Sequence, residues 1–391
     1  MVTFCTPARI EVGFNSLSRT ADLIKSLGGT KPLIVMDAFL ASPQIALDQK
    51  ITKLLAEAGI GAAVYSGIAS EPTSGNVAEG VAAATAAGAD CIIALGGGSS
   101  MDAAKAVAVL AVNPDLAFGD IPKQAKLKRL PLIAIPTTSG TGSEATRVSV
   151  ITNVQTGIKE NPGHPAMVPD VAVLDPQLTM TLPPSLTAFT GMDALTHAME
   201  AYVSNKANSL TDLHAYEAMK LVGQWLDKAV TDGANKEARQ NMAMASCLAG
   251  IAFSNSSTNL AHAGGRALGA AFHVPHGLSV ALLLPFVMEF GLEIAEERYA
   301  KVAVALGANS HQSTSILAKQ AVEIVNDYND KFGIWQEAKN RFIPDLTVYR
   351  QAIPEMVKNS LAGNGILTNP QVPNEKDVTL VFEKLAARLE R

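Results

Sequence analysis

The first half of the chain alternates between short apolar runs and longer segments in which apolar positions recur with helical spacing. Four compact apolar runs are typical of strands buried on both faces of a parallel sheet: 32–37, 62–68, 90–98 and 130–136. Helical spacing covers four longer segments: 16–27, 45–58, 74–87 and 101–112. This order predicts right-handed βαβ units and a doubly wound, mostly parallel sheet, which binds ligands at the carboxyl ends of its strands.

From residue 184 onward the pattern changes to long stretches rich in Ala, Leu and Met. Helical spacing dominates there, and no further run of the buried-strand kind occurs; the clearest helical stretches are 209–227, 236–253, 316–328 and 374–391. We therefore predict two domains. An α/β dinucleotide-binding domain covers residues 1–183, and an all-helical domain covers residues 184–391.

Composition excludes several classes of protein. The 391 residues are 48% hydrophobic and 17% charged, which is typical of a folded globular protein rather than a disordered one. Lys and Arg number 31 against 36 Asp and Glu, so the net charge of −5 lacks the positive surplus that general nucleic-acid binding requires. The three cysteines are far apart and form no CxxC pair, which argues against a disulfide framework or a thiolate zinc site.

Neither export nor membrane insertion is predicted. Residues 1–14 contain no basic region followed by an apolar region, as a signal peptide would. The most apolar late stretch, 278–288, includes Ser279 and Pro285 and is too short to span a bilayer. We expect a cytoplasmic protein without a membrane partner.

Two loops that follow predicted strands have the composition of a dinucleotide site. The first, GGGSSMD at 96–102, lets the backbone approach a pyrophosphate and leads into a helix whose first N–H groups bind anions. The second, PTTSGTGSE at 136–144, offers hydroxyls and flexible amides to phosphate and ribose. Each loop has an ordinary alternative, a tight packing turn or a Ser/Thr-rich loop with an N-cap. Two such loops on neighbouring strand ends favour the cofactor.

Asp37 ends the first predicted strand. A carboxylate at this point accepts hydrogen bonds from the adenosine ribose and repels a 2′-phosphate, so we predict NAD rather than NADP. The alternative is that Asp37 serves only to form a turn.

A cluster of ionisable residues in the helical half indicates a metal site. Asp193 and His197 lie four residues apart in a helical pattern, so both side chains share one face. Three of the seven histidines, His262, His273 and His276, fall within fifteen residues. A carboxylate with three imidazoles suits Fe(II), Zn(II) or a similar cation, although any single histidine is more often a core or surface residue. A metal there binds an alcohol oxygen or polarises an aldehyde carbonyl, while hydride moves to or from a nicotinamide.

Four stretches together resemble the iron-containing (group III) alcohol dehydrogenase family. They are GGGSSMDAAKA, PTTSGTGSEATRVSVITN, DPQLTMTLPPSLTAFTGMDALTHAMEAYVS and HAGGRALGAAFHVPHG, at 96–106, 136–153, 175–204 and 262–277. The combination of GMDALTHAMEAY with a distal His and PHG is highly specific, whereas the triple-glycine loop alone is not.

The resemblance implies an N-terminal domain that binds NAD(P) and a helical domain that holds the metal. By motif position, the metal ligands would be Asp193, His197, His262 and His276. Contacts with the cofactor would come from Gly97, Gly98, Ser99 and Asp102 at the pyrophosphate, from Thr137, Thr138 and Thr141 around it, from Lys159 near a ribose, and from Asp37, the acid that favours NAD. Homodimers or larger homo-oligomers are usual in the family.

One position departs from the family pattern. Many relatives have a histidine four residues after the first distal ligand, assigned to the substrate pocket or to proton relay, and Arg266 stands there in this chain. In one interpretation Arg266 is a helix-surface residue, and His273 or a water handles the proton. In the other, the permanent charge of Arg266 attracts an anionic substrate, such as an aldehyde with a carboxylate, sulfonate or phosphonate.

The predicted function is therefore an oxidoreductase that transfers hydride between NAD(H) and a metal-bound primary alcohol or aldehyde. The alternative is a lyase of the dehydroquinate synthase type, which shares the architecture and uses NAD transiently. Its metal site and phosphate pocket differ, and GMDALTHAMEAY argues against it. A non-catalytic binding protein on the same fold would have lost metal ligands, and all four are present.

Overall fold

The structure is a computed structural model that describes residues 3–69 and 71–391. The chain divides into two compact units, Met1–Thr181 and Leu182–Arg391. The division lies two residues before the boundary expected from the sequence. Leu182 and Pro183 go with the helical unit because their carbonyls accept hydrogen bonds from Arg239 and Thr187.

Among the described residues of the first unit, six parallel strands form one sheet in the order β1-β8-β5-β4-β2-β3. A separate antiparallel pair is formed by β6 and β7. The strands are β1 Arg9–Val12, β2 Pro32–Asp37, β3 Ala63–Ile68, β4 Cys91–Gly96, β5 Leu132–Pro136, β6 Ile151–Thr152, β7 Lys159–Glu160 and β8 Val171–Leu174.

Helices cover both faces of this sheet. They are α1 Thr20–Ser26, α2 Leu47–Glu57, α3 Ser74–Ala87 and α4 Gly98–Leu110. Side chains alternate along β2, so Ile34 and Met36 pack with α1 and α2, while Leu33 and Val35 pack with α3 and α4. The chain therefore leaves the neighbouring strands β2 and β4 toward opposite faces. Such a switch point opens a crevice at the carboxyl ends of the two strands.

Helices joined by turns and loops are the regular secondary structure of the second unit in its described residues. Its α-helices are α5 Pro184–Val203, α6 Ser209–Thr231, α7 Lys236–Asn255, α8 Leu260–Phe272, α9 His276–Gly291, α10 Glu296–Ala305, α11 Thr314–Lys331, α12 Ile334–Glu337, α13 Leu346–Leu361 and α14 Glu375–Glu390. Helix α9 is buried from Leu278 to Met288, so it is the central helix of this core. Across 3–69 and 71–391, no helix combines the length and apolar character needed to cross a bilayer.

The predicted fold class, a doubly wound α/β unit with a helical unit after it, is confirmed. Some element boundaries are corrected. Helix α4 begins at Gly98 rather than at residue 101, because the backbone turns helical within the glycine run itself. The segment 16–27 starts with the 3-10 turn Ser16–Arg19 before α1. Strands β1 and β8 were not predicted, since four-residue strands give too short a pattern.

Candidate metal centre and dinucleotide loops

The four predicted metal ligands come together around one carboxylate oxygen. Asp193 Oδ1 lies 3.4 Å from His262 Nε2, 3.6 Å from His276 Nε2 and 3.7 Å from His197 Nδ1. The donor atoms of Asp193, His262 and His276 all lie within 4.8 Å of one another. His197 stands beside this group of three, with its ring stacked on His262 at 4.2 Å between centroids. Helices α5, α8 and α9 supply the four side chains.

These spacings suit a bound cation better than hydrogen bonding. Asp193 Oδ1 and His262 Nε2 are buried, and no described residue provides either with a hydrogen-bond partner. Unsatisfied buried polar atoms are costly, so a cation between them would remove a penalty. A tetrahedral site with bonds of about 2.1 Å has edges of about 3.4 Å, close to the observed separations. The donor set, one carboxylate oxygen and imidazole nitrogens, suits Fe(II) and Zn(II).

The electrostatics of Asp193 favour its charged form. Burial alone raises the pKa of a carboxyl group, but His197, His276 and His262 outweigh burial and lower the pKa of Asp193 to about 2. The carboxylate is therefore available to a cation throughout the neutral range.

Glu200 is the supporting residue that sequence analysis missed. Its Oε2 accepts hydrogen bonds from His262 Nδ1 at 2.6 Å and from the Asn259 backbone N–H at 2.7 Å, and Oε1 accepts from the Ala261 N–H at 2.6 Å. Glu200 thus caps the start of α8 and holds the proton of His262 on Nδ1, which turns the Nε2 lone pair toward Asp193. The spacing could have revealed it, because Asp193, His197 and Glu200 at i, i+4 and i+7 share one helix face.

A glycine explains how α9 approaches α5 closely enough to bring His276 to the site. A side-chain carbon at Gly277 would collide with the Phe189 carbonyl of α5. Only glycine permits this contact between the two backbones. The glycine of the PHG sequence therefore has a packing role beside the predicted ligand His276.

Of the two predicted catalytic residues, Arg266 lies on α8 and His273 is the residue directly after it. His273 ends this helix in the left-handed conformation, with φ 54°, and its side chain is exposed. Arg266 lies one turn after His262 and is partly buried. Its Nη2 is fully buried and has no hydrogen-bond partner in the described chain.

The two predicted cofactor loops pack against each other in the first unit. A side-chain carbon at Gly97 would lie 3.7 Å from Thr138, and one at Gly98 would lie 3.0 Å from Thr141. Thr137 also contacts the glycine loop, since its N–H donates to the Gly96 carbonyl at 3.0 Å. The sequence prediction that these strand ends lie side by side is thus met by direct contacts.

The loops retain polar groups suited to a phosphate-bearing ligand. Thr138 Oγ1 and Ser139 Oγ are buried and find no hydrogen-bond partner within 3–69 and 71–391. Gly97 is the N-cap of α4 and provides no side-chain cap, so the first N–H groups of the helix, including that of Ser99, are open to an anion. The residues present fit a pyrophosphate.

Asp102 has a role beyond the one expected of it. Its Oδ1 accepts from Ser143 Oγ at 2.6 Å and its Oδ2 accepts from the Val150 N–H at 2.9 Å. The side chain therefore joins the glycine loop helix to the threonine loop, rather than leaving its carboxylate free for the cofactor.

Lys105, also missed from sequence, completes this junction. Its fully buried Nζ donates to Ser143 Oγ at 2.7 Å, to Thr146 Oγ1 at 2.7 Å and to the Val148 carbonyl at 2.8 Å, and lies 3.6 Å from Asp102 Oδ1. Burial lowers the pKa of Lys105, and Asp102 opposes that shift. Burial also raises the pKa of neighbouring Glu144 to about 7.

Asp37 lies beside the glycine loop, whereas Lys159 is held in an ion pair. Asp37 lies at the switch point: its Oδ1 accepts from the Leu40 N–H at 3.0 Å, and its Oδ2 lies 3.5 Å from Ser100 Oγ of the glycine loop helix. Lys159, on β7, pairs with Glu71 at 2.6 Å. A ribose contact by Lys159 would have to replace or share that ion pair.

Comparison with known proteins decides the family. Residues 7–176 match the family described as iron-containing alcohol dehydrogenase, and residues 187–386 match the C-terminal region of the Fe-containing alcohol dehydrogenase family. The chain belongs to the iron-containing alcohol dehydrogenase family. The resemblance and the oxidoreductase function predicted from the sequence are thereby confirmed.

Individual members of the iron-containing alcohol dehydrogenase family align along almost the whole chain. The 1,3-propanediol dehydrogenase of Klebsiella pneumoniae is 36% identical over 378 residues, 95% of each chain. The NAD-dependent methanol dehydrogenase of Bacillus methanolicus is 34% identical over 386 residues, 98% of this chain and 99% of the relative. A crystal structure of 1,3-propanediol oxidoreductase matches with a TM-score of 0.92 at 34% identity, covering 98% of this chain and 100% of the other.

Proposed function

We propose that the protein transfers hydride between NAD(H) and a primary alcohol or aldehyde with the help of a divalent cation. Asp193, His197, His262 and His276 hold the cation, which we take to be Fe(II), with Zn(II) as the alternative. The observation that carries the proposal is the convergence of three imidazoles on Asp193 Oδ1, a buried atom without a hydrogen-bond partner among the described residues.

The chemistry divides between the bound groups and the chain. A divalent cation supplies Lewis acidity, which lowers the pKa of an alcohol or polarises an aldehyde. In oxidation the alcohol loses a proton and a hydride, NAD⁺ accepts the hydride, and the products are an aldehyde, NADH and a proton. Glu200 orients His262 for this task. We assign the proton to His273, whose exposed side chain lies three residues before His276, or to a water.

The deciding experiment combines metal analysis with net cofactor turnover. Protein purified without oxygen is expected to contain about one divalent ion per chain, since one set of ligands is present. It should oxidise NADH in the presence of a short aldehyde, lose this activity on chelation and regain it with Fe(II) or Zn(II). Full activity in metal-free protein would contradict the proposal. A lyase that uses NAD transiently would show no net consumption of NADH.

Asp37 is proposed to select NAD over NADP, and Asp37→Asn tests this. Asparagine keeps the acceptor for the Leu40 N–H but removes the charge that repels a 2′-phosphate. We expect the ratio of kcat/KM for NADH to that for NADPH to fall by about 10-fold or more, as a loss of charge repulsion of ~1.4 kcal/mol would produce. The exposed Asp22→Asn variant controls for net charge. Equal preference in the wild-type protein would refute the assignment.

We further propose that the enzyme is a cytoplasmic homodimer or larger homo-oligomer. Support for the assembly comes from β1, which lies at the edge of the sheet and exposes Ile10 and Val12. An open strand edge with apolar side chains is a surface on which a second copy can pair. Size-exclusion chromatography with light scattering measures the mass directly, and a single 40.9 kDa species would refute the assembly.

A further inference from the structure

Arg266 is a partly exposed charged side chain of the helical unit whose inner end, Nη2, is buried. It lies on α8 one turn after the ligand His262, so the two side chains share a helix face. Its Nη2 is buried, and a side-chain carbon at Gly363 would lie 3.4 Å from it. No described residue accepts a hydrogen bond from Nη2. The residue as a whole keeps partial exposure, which leaves a route from solvent.

A second buried arginine in the same unit shows the contrast. Arg239 donates to the Gly233 carbonyl at 3.0 Å, to Thr187 Oγ1 at 2.8 Å and to the Leu182 carbonyl at 3.2 Å. Burial lowers the pKa of both arginines, so both experience desolvation. Within residues 3–69 and 71–391, acceptors compensate Arg239 but not Nη2 of Arg266. An uncompensated buried charge is expensive, and its natural partner is an anion that binds there.

The charge balance around Arg266 supports the same conclusion. Glu200 is the carboxylate whose charge acts on Arg266 and opposes the lowering of its pKa by burial. However, both oxygens of Glu200 already accept hydrogen bonds from α8. Asp193 and Glu200 together carry two negative charges, which balance a divalent cation. The positive charge of Arg266 then remains, and it is complementary to an anionic group.

We propose that Arg266 binds the anionic group of the substrate, so that the preferred aldehydes and alcohols carry a carboxylate, sulfonate or phosphonate. This inference rests on the proposed dehydrogenase function and names its substrate class. The planar guanidinium fits the paired oxygens of such a group. Since residues at i and i+4 are about 6 Å apart, a chain of one to three carbons can join the anionic group to the reacting carbon.

The test compares aldehydes with and without an anionic group. Butanal and 4-oxobutanoate have similar size, and sulfoacetaldehyde and phosphonoacetaldehyde extend the series to other anions. Wild-type enzyme should prefer at least one of these anions over butanal. In Arg266→Met, the ratio of kcat/KM for that anion to kcat/KM for butanal should fall about 100-fold, as loss of a charged bidentate partner does. Arg266→Lys should retain part of the preference.

Arg239→Met is the matched control, and thermal unfolding is the readout that does not depend on turnover. Removing Arg239, which has acceptors for its hydrogen bonds, should lower the midpoint of thermal unfolding. It should leave the preference between charged and neutral aldehydes unchanged. Removing the uncompensated Arg266 should leave the midpoint unchanged or raise it. A lower midpoint for Arg266→Met with an unchanged preference would show that Arg266 serves only the fold, and would overturn the inference.

Binding measurements separate this inference from the proposed function. Calorimetry with 4-hydroxybutanoate, 2-hydroxyethanesulfonate, 2-hydroxyethylphosphonate and 1-butanol should show that wild type binds an anion and Arg266→Met does not, whether or not the enzyme turns over. If no aldehyde is reduced yet the anion binds, the proposed function fails and the anion site stands. If butanal is reduced but none of the three anions is preferred or bound, the anion site fails alone.

Discussion

Replacing Asp193 with asparagine should remove the metal and, with it, the activity. The carboxylate oxygen is the atom on which His197, His262 and His276 converge, and asparagine has the same shape without the charge. Loss of a supporting residue around a metal costs about 10–100-fold in affinity or activity, so loss of the central ligand should cost at least about 10³-fold in kcat/KM. Metal content by mass spectrometry and NADH oxidation measure the two effects.

Asp227→Asn is the control for this variant, because Asp227 forms only a partly exposed ion pair with Lys331. It should retain metal and activity. Metal-free Asp193→Asn should be somewhat less stable than metal-free wild type, since the histidines that lower the pKa of Asp193 also stabilise its carboxylate, and circular dichroism checks that the variant is folded. An Asp193→Asn protein with full metal content would refute the proposed ligand set. His197→Asn in the same assay decides whether His197 completes that set.

Replacing Lys105 with methionine should destabilise the first unit strongly. The substitution removes three hydrogen bonds and leaves Asp102 without its nearby cation. Breaking a buried pair by removing one partner costs about 3–5 kcal/mol in the free energy of unfolding. The affinity for NADH should fall as well, because Lys105 and Asp102 fasten the threonine loop to α4. Urea denaturation and NADH titration measure the two effects.

Two spectroscopic signals can show which unit Lys105→Met destabilises. Both tryptophans, Trp225 and Trp335, belong to the helical unit, whereas circular dichroism records both units. In Lys105→Met, the unfolding midpoint followed by circular dichroism should therefore fall more than the midpoint followed by tryptophan fluorescence, which reports on the helical unit. The exposed Lys123→Met, which removes a surface pair with Asp120, should change neither signal. Adding Asp102→Asn to Lys105→Met should recover part of the lost free energy of unfolding. If the effects of the two substitutions simply added, the proposed interaction between Lys105 and Asp102 would be contradicted.

The sequence was sufficient for features that depend on local patterns. Buried strands such as 32–37 and long helices such as 209–227 can be predicted because the periodicity of apolar residues reflects which faces are buried. Asp193 and His197 could be placed on one helix face for the same reason. The position of His262 and His276 beside them depends on the packing of α8 and α9 on α5, for which the family resemblance was needed.

Other features depend on contacts between distant segments and left no local signal. Lys105 looks like an exposed helix residue in the sequence, yet it is fully buried against Ser143, Thr146 and Val148. The resemblance implied that Asp102 contacts the cofactor, and the folded structure adds a second role, since its carboxylate accepts a hydrogen bond from Ser143 of the threonine loop. Similarly, whether Arg266 had an acceptor in the chain could be answered only by the folded helices around it.

The pairing of β1 with β8 has a consequence for how the protein is made. Arg9 pairs with Val171, and Asp175 accepts hydrogen bonds from the backbone of Asn15 and Leu17, across 160 and 158 residues of chain. During synthesis the N-terminal strand must therefore wait until residue 175 has left the ribosome before it can join the sheet. Closing such a long loop is slow because its entropy is lost before the contacts form. A shortened form of the first unit that ends before β8 would lose β1 from its sheet as well.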